Sequence, residues 1–352
     1  MNQVIDLLRE MVQRKASDLF ITVGLAPMIK VDGNLMPLAQ YEQFSQVDSE
    51  ECARQLFVHD KDYQEFLEFG EKDFPLSLPN IGRFRVNVFR QRGSCAVSLR
   101  RIYTELPNYQ ALGIPPLVMS LTQSHKGLVL ITGPTGCGKT TTLAALIDKI
   151  NHERACHVLT LEDPIEYLHR HALSIVNQRE IGSDTQSYQR GLRAALRQSP
   201  DVILIGEMRD LETIAIALTA AETGHLVFST LHTIGAAKTI DRIIDVFPPG
   251  QQQQIRVQLS TVLQAVISQQ LVPALNGSQK PAFEIMLINS AIRNMIRENK
   301  TPQIDGVIQM NFPQGMVTMD RSLASLMRQA LISRDDALHY AVNPEVLLRY
   351  LE

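Results

Sequence analysis

The stretch LVLITGPTGCGKTTTLAAL (Leu128–Leu146) decides the fold. Leu128–Thr132 reads as a buried strand, and a helical run closes the segment. Between them the residues match G-x-x-x-x-G-K-[ST] at Gly133, Gly138, Lys139 and Thr140, in the strand–loop–helix context this motif requires. The glycines let backbone N–H groups turn inward around phosphates, and the helix N-terminus adds partial positive charge. Lys139 supplies a cation for the β- and γ-oxygens, and Thr140 offers a hydroxyl to Mg²⁺. An ordinary glycine turn is the bland alternative, and the full match in its context disfavours it. The loop Gly133, Pro134, Thr135, Gly136, Cys137, Gly138, Lys139, Thr140 and Thr141 is therefore expected to bind ATP. Cys137 lies beside Lys139 and a helix start, surroundings that favour a thiolate unless the thiol points into the core.

From this loop outward, apolar strands alternate with longer helical patterns, as expected for a wound α/β core. HVLTL, DVILIG and HLVFSTL continue the series begun by LVLIT. Val202–Ile205 ends in Gly206-Glu207, and an acid at such a tip holds the metal in folds of this kind, commonly as Asp. Here it is Glu207. HVLTLEDPIEYLHRH (His157–His171) starts as a strand and then gathers Glu162, Asp163 and Glu166. Acids at a strand end are costly unless solvated, paired or useful. A helix started by Asp163-Pro164 accounts for Asp163 but not for the group. A carboxylate at the carboxyl edge, near a γ-phosphate, can orient or deprotonate the attacking water. After about Asp241 the pattern reads as mainly helical, with one Gly/Pro-containing loop near Pro273–Pro281.

At 352 residues the chain has room for two domains. Residues 1–106 mix signals and read as an α+β domain. Ile5, Leu8, Met11 and Val12 share a helical face, and Leu19–Val23 reads as a strand. Asp32-Gly33 marks a hairpin turn. Phe84, Val86 and Val88 alternate with Arg83, Arg85 and Asn87, and a second strand follows Gly93-Ser94. Pro107–Pro116 is a linker by composition, which gives domains at 1–106 and 119–352 joined by 107–118. A formal net charge of −3 gives no bulk electrostatic reason to expect nucleic acid. The four cysteines form no Cys-x-x-Cys pair, which suggests a reducing, cytoplasmic setting. No apolar run has membrane-spanning length, so no direct membrane insertion is expected.

Together these residues resemble the PilT family of type IV pilus retraction ATPases, within the secretion superfamily. GPTGCGKT resembles its Walker A, TLEDPIEY (Thr160–Tyr167) its Asp box and PDVILIGEMRD (Pro200–Asp210) its Walker B. ETGHLVFSTLHT (Glu222–Thr233) resembles its His box, and AIRNMIRE (Ala291–Glu298) its retraction motif. SDLFITVGLAPMIKVDG (Ser17–Gly33) is similar to the family's first domain, so the resemblance covers essentially the whole chain. It implies a PAS-like N-terminal α+β domain followed by a RecA-like α/β core with a helical C-terminal part. The water-activating glutamate then falls on Glu166, with Glu162 in the Mg²⁺ shell and Glu207 as the Walker B acid. His225 and His232 match the His-box histidines. Arg85 and Arg100 match the arginines through which the first domain reaches nucleotide, and Arg90, Arg92 and Arg101 read as a solvated basic strand.

The implied activity is ATP hydrolysis by a hexameric ring at the cytoplasmic, inner-membrane base of a pilus machine. The implied partners are the pilus platform protein and a paralogous retraction ATPase. LISRDDALHYAVNPEVLLRY (Leu331–Tyr350) resembles the PilU-type accessory paralogue as much as PilT, so a subunit docking on the main motor is the alternative. Extension ATPases usually carry a tetracysteine zinc site, which this chain lacks. A DNA translocase is disfavoured by low charge and the want of an aromatic-plus-basic stripe. In AIRNMIRE, Ile292 and Ile296 are expected to anchor a helix, leaving Arg293 and Arg297 free to transmit movement.

Overall fold

Period-2 patterning and tight turns build the first sheet. The computed structural model describes residues 2–31, 33–102 and 108–351. Contacts divide the chain into two units, residues 1–105 with Glu166–Leu168, and residues 106–165 with 169–352.

The first unit opens with α1 (Asn2–Gln13), β1 (Asp18–Ile21), β2 (Met28–Val31) and β3 (Asn34–Pro37). It continues with α2 (Gln46–Leu56), α3 (Asp60–Phe69), β4 (Glu71–Leu78), β5 (Gly82–Gln91) and β6 (Ser94–Ile102). The strands form one antiparallel sheet in the order β3-β2-β1-β6-β5-β4. Phe84, Val86 and Val88 are buried on one face of β5, while Arg85 is exposed on the other. Arg92 and Gly93 join β5 to β6 with φ of 47° and 81°, the pair of positive angles that a type I′ hairpin turn needs. The buried stripe of α1 is Val4, Leu7, Leu8 and Met11, with Ile5 and Val12 at its border. Asp32 of the expected turn and Pro107 of the expected linker lie outside the described residues; β2 and β3 pair as a hairpin on either side of the turn.

The second unit begins with α4 (Pro116–Ser120), β7 (Gly127–Thr132), α5 (Lys139–Glu153), β8 (His157–Glu162) and β9 (Ile175–Glu180). Next come α6 (Tyr188–Ala195), β10 (Val202–Ile205), α7 (Leu211–Glu222), β11 (Leu226–Leu231), α8 (Ala236–Asp245) and α9 (Pro249–Val262). β12 (Leu263–Pro273) and β13 (Gln279–Leu287) complete the sheet, in the order β13-β12-β7-β11-β10-β8-β9. Every neighbouring pair is parallel except β12 with β13. α10 (Ser290–Arg297), α11 (Ile304–Met310), α12 (Met319–Arg328), α13 (Arg334–Tyr340) and α14 (Pro344–Leu351) follow.

Helices cover both faces of this sheet, so its central strands are apolar throughout rather than alternating. Leu128 and Leu130 of β7 pack with α7, α8 and α9, while Val129 and Ile131 pack with Leu143, Leu146 and Ile147 of α5. The helical reading after Asp241 needs correction, because residues 263–287 supply an antiparallel strand pair that extends the sheet. Ser268, Gln269, Gln270 and Glu284 lie buried in these strands and interrupt the apolar run that would mark them as strands. Among the described residues no helix is long and apolar enough to cross a membrane.

Candidate active site

Because β7, β8, β10 and β11 run parallel, their carboxyl ends share one edge of the sheet. That edge collects Gly133–Thr140, Glu162, Glu207 and His232. Ligands bind at this edge in open α/β sheets.

The phosphate loop leaves β7 and enters α5 through Gly138, at φ 88°, with no side-chain cap on the helix. A helix start of this kind presents backbone N–H groups and a partial positive charge suited to an anion. The loop lies against β12 without room for side chains at its ends. A Cβ on Gly133 would sit 2.2 Å from the Gln269 carbonyl oxygen, and one on Gly138 2.9 Å from Gln269 Nε2. Lys139 is buried, and its ammonium donates to the Gly133 and Pro134 carbonyl oxygens at 2.9 Å each. An uncapped helix start, a glycine cradle and a buried cation make a fit for phosphates.

The acids divide by environment. Glu207 is 9% exposed at the tip of β10 and ion-paired to Arg209. Its Oε2 accepts from His232 Nε2 at 3.3 Å, and His232 Nδ1 lies 3.5 Å from Thr135 Oγ1. In the neutral Nε2–H tautomer the ring donates to the carboxylate and Nδ1 can accept from the Thr135 hydroxyl. A chain of hydrogen bonds therefore links the acid of β10, the residue after β11 and the phosphate loop. Glu162 is also buried, and its Oε1 accepts from Thr160 Oγ1 at 2.6 Å and Gln178 Nε2 at 3.1 Å. Among the described residues no three His, Cys, Asp or Glu side chains group as a metal site. That suits a metal bound largely through the phosphates of a nucleotide rather than in an all-protein cage.

Glu166 is exposed and falls in the first unit together with Tyr167 and Leu168. Arg85 and Arg100 stand opposite each other on β5 and β6, and Arg100 stands opposite Asp18 on β1. Arg100 Nε donates to Asp18 Oδ1 at 2.8 Å, and Arg85 lies 3.8 Å from Asp73. Arg101 differs from the reading of a freely solvated strand, since it donates to the Val12 carbonyl at 3.4 Å.

His225 is not brought to the loop. Its carbonyl accepts the Gly127 N–H at the amino end of β7, so it sits at the opposite edge, roughly 20 Å of strand from His232. Its Nδ1 donates to the Ala220 carbonyl at 2.9 Å, closing the end of α7. Cys137 is likewise turned inward: the thiol is buried, its Sγ lies 2.7 Å from where a Gly133 Cβ would be, and burial pushes its pKa up. Lys139 opposes that shift without overcoming it, so the thiolate expected from sequence position is disfavoured.

Sequence reasoning missed Arg209, Tyr188 and Gln269. Arg209 stands two places after Glu207, a spacing that places like-facing side chains in extended chain. Burial, with Asp163, Glu207 and Glu162 adding to it, raises the Tyr188 phenol and keeps it a donor beside the acids. Gln269 carries no local signal, because only the sheet order places β12 beside the loop.

Residues 2–310 match the family model for Type II/IV secretion system protein. The type IV pilus retraction ATPase PilT of Pseudomonas aeruginosa is 45% identical over 97% of this chain and 99% of its own. The twitching motility protein of Neisseria gonorrhoeae is 46% identical over 97% and 91%, and the type IV pilus ATPase PilU of P. aeruginosa 40% over 95% and 87%. A crystal structure of the pilus retraction motor PilT with bound ADP covers 99% of both chains at 45% identity, with a TM-score of 0.93. The chain belongs to the Type II/IV secretion system protein family, and within it to the PilT branch.

Proposed function

We propose that the chain is an ATP-hydrolysing motor that powers type IV pilus retraction as a ring-shaped hexamer. The observation that carries this reading is the Glu207–His232–Thr135 hydrogen-bond chain, which ties the Walker B acid to the phosphate loop.

In this reading the N-terminal end of α5 and the Lys139 ammonium hold the β- and γ-phosphates. Thr140, Glu207 and Glu162 hold Mg²⁺, partly through water. The chemistry a metal would supply there is electrostatic, offsetting charge that develops on the phosphates. Glu166 takes the proton of the attacking water, and Arg85 and Arg100 offset charge on the nucleotide. His232 reports the state of the loop to Glu207 through one imidazole. Closure of the first domain on the core, and its release, turn the platform protein so that pilin returns to the inner membrane. The site of action is the cytoplasmic base of the pilus.

Similarity to PilU supports a second reading, an accessory subunit docked on a separate main motor. Deletion of the gene followed by counting surface pili tests both. Excess pili with lost twitching is expected for the motor. Pilus number and twitching near wild type, with weak turnover by the purified chain, mark the accessory subunit. Absence of pili overturns retraction altogether.

A further inference from the structure

Gln269 lies on β12 next to the end of β7, where the neighbouring Ser268 pairs with Thr132. Its side chain is 3% exposed, and both ends of the carboxamide are used. Nε2 donates to the Cys137 carbonyl at 2.7 Å, and Oε1 accepts from Thr142 Oγ1 at 2.8 Å. Cys137 offers only an acceptor there, so the amide has one workable orientation.

The consequence follows from peptide geometry. Asp163-Pro164 is the cis bond among the described residues, so the Cys137–Gly138 peptide is trans. In a trans peptide the C=O and N–H point in opposite directions. Holding the Cys137 carbonyl toward β12 therefore aims the Gly138 N–H away from β12, the direction from which a phosphate can meet it. The second bond fixes the first turn of α5 to the same amide, since Thr142 lies in the helix that starts at Lys139. The crowding at Gly133 and Gly138 shows that the loop rests directly on this residue.

We propose that Gln269 is a positioning residue for phosphate binding, which orients the Cys137–Gly138 peptide and the start of α5 toward the β-phosphate of a nucleoside diphosphate. This rests on the reading of the loop as an ATP site. A purely structural amide would support the melting temperature but would not discriminate between nucleotides by their phosphates.

The test, run at about pH 9 so that a buried carboxyl is ionised, compares full-length wild type with Gln269→Met, which keeps length but cannot hydrogen-bond, and Gln269→Glu, which keeps an acceptor for Thr142 but, once ionised, offers Cys137 no donor. Calorimetric titration with ADP and with AMP is read beside thermal melting without nucleotide. ADP affinity is expected to fall about tenfold or more in both variants, the effect of leaving a buried carbonyl unpaired and its peptide free to turn. AMP affinity should fall by clearly less. Wild-type ADP affinity in a folded variant, or equal losses for ADP and AMP, overturns the proposal. If Gln269→Met does not fold, Gln269→Glu alone decides, because its shape is conserved. Should wild type fail to bind ADP, or should Lys139→Ala bind it equally well, the ATP-site reading itself fails, which is a separate result.

Discussion

At the residue scale, the two glutamates after β8 differ in what surrounds them. Glu162 is buried and has one oxygen already accepting from Thr160 and Gln178. Glu166 is exposed, so it can exchange a proton with water directly. Glu166→Gln is nearly isosteric yet cannot take a proton. It is expected to retain ATP binding and to lose turnover by about 10²–10⁴-fold, while Glu162→Gln is milder. Steady-state hydrolysis with parallel nucleotide binding checks this, and normal turnover in Glu166→Gln with a dead Glu162→Gln would move the base to the other acid. Cys137 gives a second expectation. Its burial and raised pKa predict slow alkylation, so a maleimide should label half-exposed Cys156 first. Mass mapping that finds Cys137 labelled first, with Mg-ATP protecting it, would show that the thiol opens to solvent.

At the scale of elements, α10 separates anchoring from output. Ile292 and Ile296 are fully buried, and Ile292→Ala is expected to lower stability by about 2–5 kcal/mol in a denaturant titration. Arg293 is not free, because its guanidinium donates to the Ser260 and Thr261 carbonyls at 2.6 and 2.9 Å, closing the last turn of α9. The Arg297 guanidinium bonds within its own helix, to the Arg293 carbonyl and Asn294 Oδ1. Arg293→Ala should therefore cost about 1–3 kcal/mol. Arg297→Ala should leave melting and ATPase activity near wild type and impair twitching. ATPase loss in proportion to motility would give this helix to the active site instead. The strands β7, β8, β10 and β11 were legible because strands buried on both faces keep an apolar run, and β5 and β6 because they alternate. β12 and β13 were not, since their buried Ser268, Gln269 and Glu284 find partners only in distant segments. Glu284 accepts the Ala236 N–H at 2.7 Å and the Met319 N–H at 3.4 Å, and burial pushes its pKa up to about 7 from 4.5. The folded chain then holds a proton that the unfolded chain has released between those values. Stability from this group is full below about 4.5 and lost as pH rises through 7. The melting temperature should fall across that window in wild type and fall less in Glu284→Gln. Equal slopes would mean Glu284 is charged in the folded state.

At the scale of the whole molecule, the residues proposed for turnover are divided between the two units. Lys139, Thr140, Glu162, Glu207 and His232 belong to one, while Arg85, Arg100 and Glu166 belong to the other. That division could not be read from the sequence, where Glu162 and Glu166 are close neighbours in one motif. On that proposal, turnover depends on residues of both units reaching the nucleotide, and ring assembly is the proposed means. Arg100 has the chemistry for the task. It is 73% exposed, with one hydrogen bond to Asp18 holding it in place and the rest of its fork of donors available to phosphate oxygens. Arginines supplied to a phosphoryl-transfer site contribute about 10³–10⁵-fold in related enzymes. Turnover per subunit should therefore fall on dilution below the assembly threshold, measured by light scattering on the same samples. Arg100→Ala should lower turnover in the assembled state while leaving ADP affinity near wild type. Inactive Glu166→Gln subunits mixed into wild type should depress activity more than their share, because each nucleotide would draw on two subunits. Constant specific activity through the transition to a demonstrated monomer would show that each chain completes its own site, and assembly would then serve mechanical output alone.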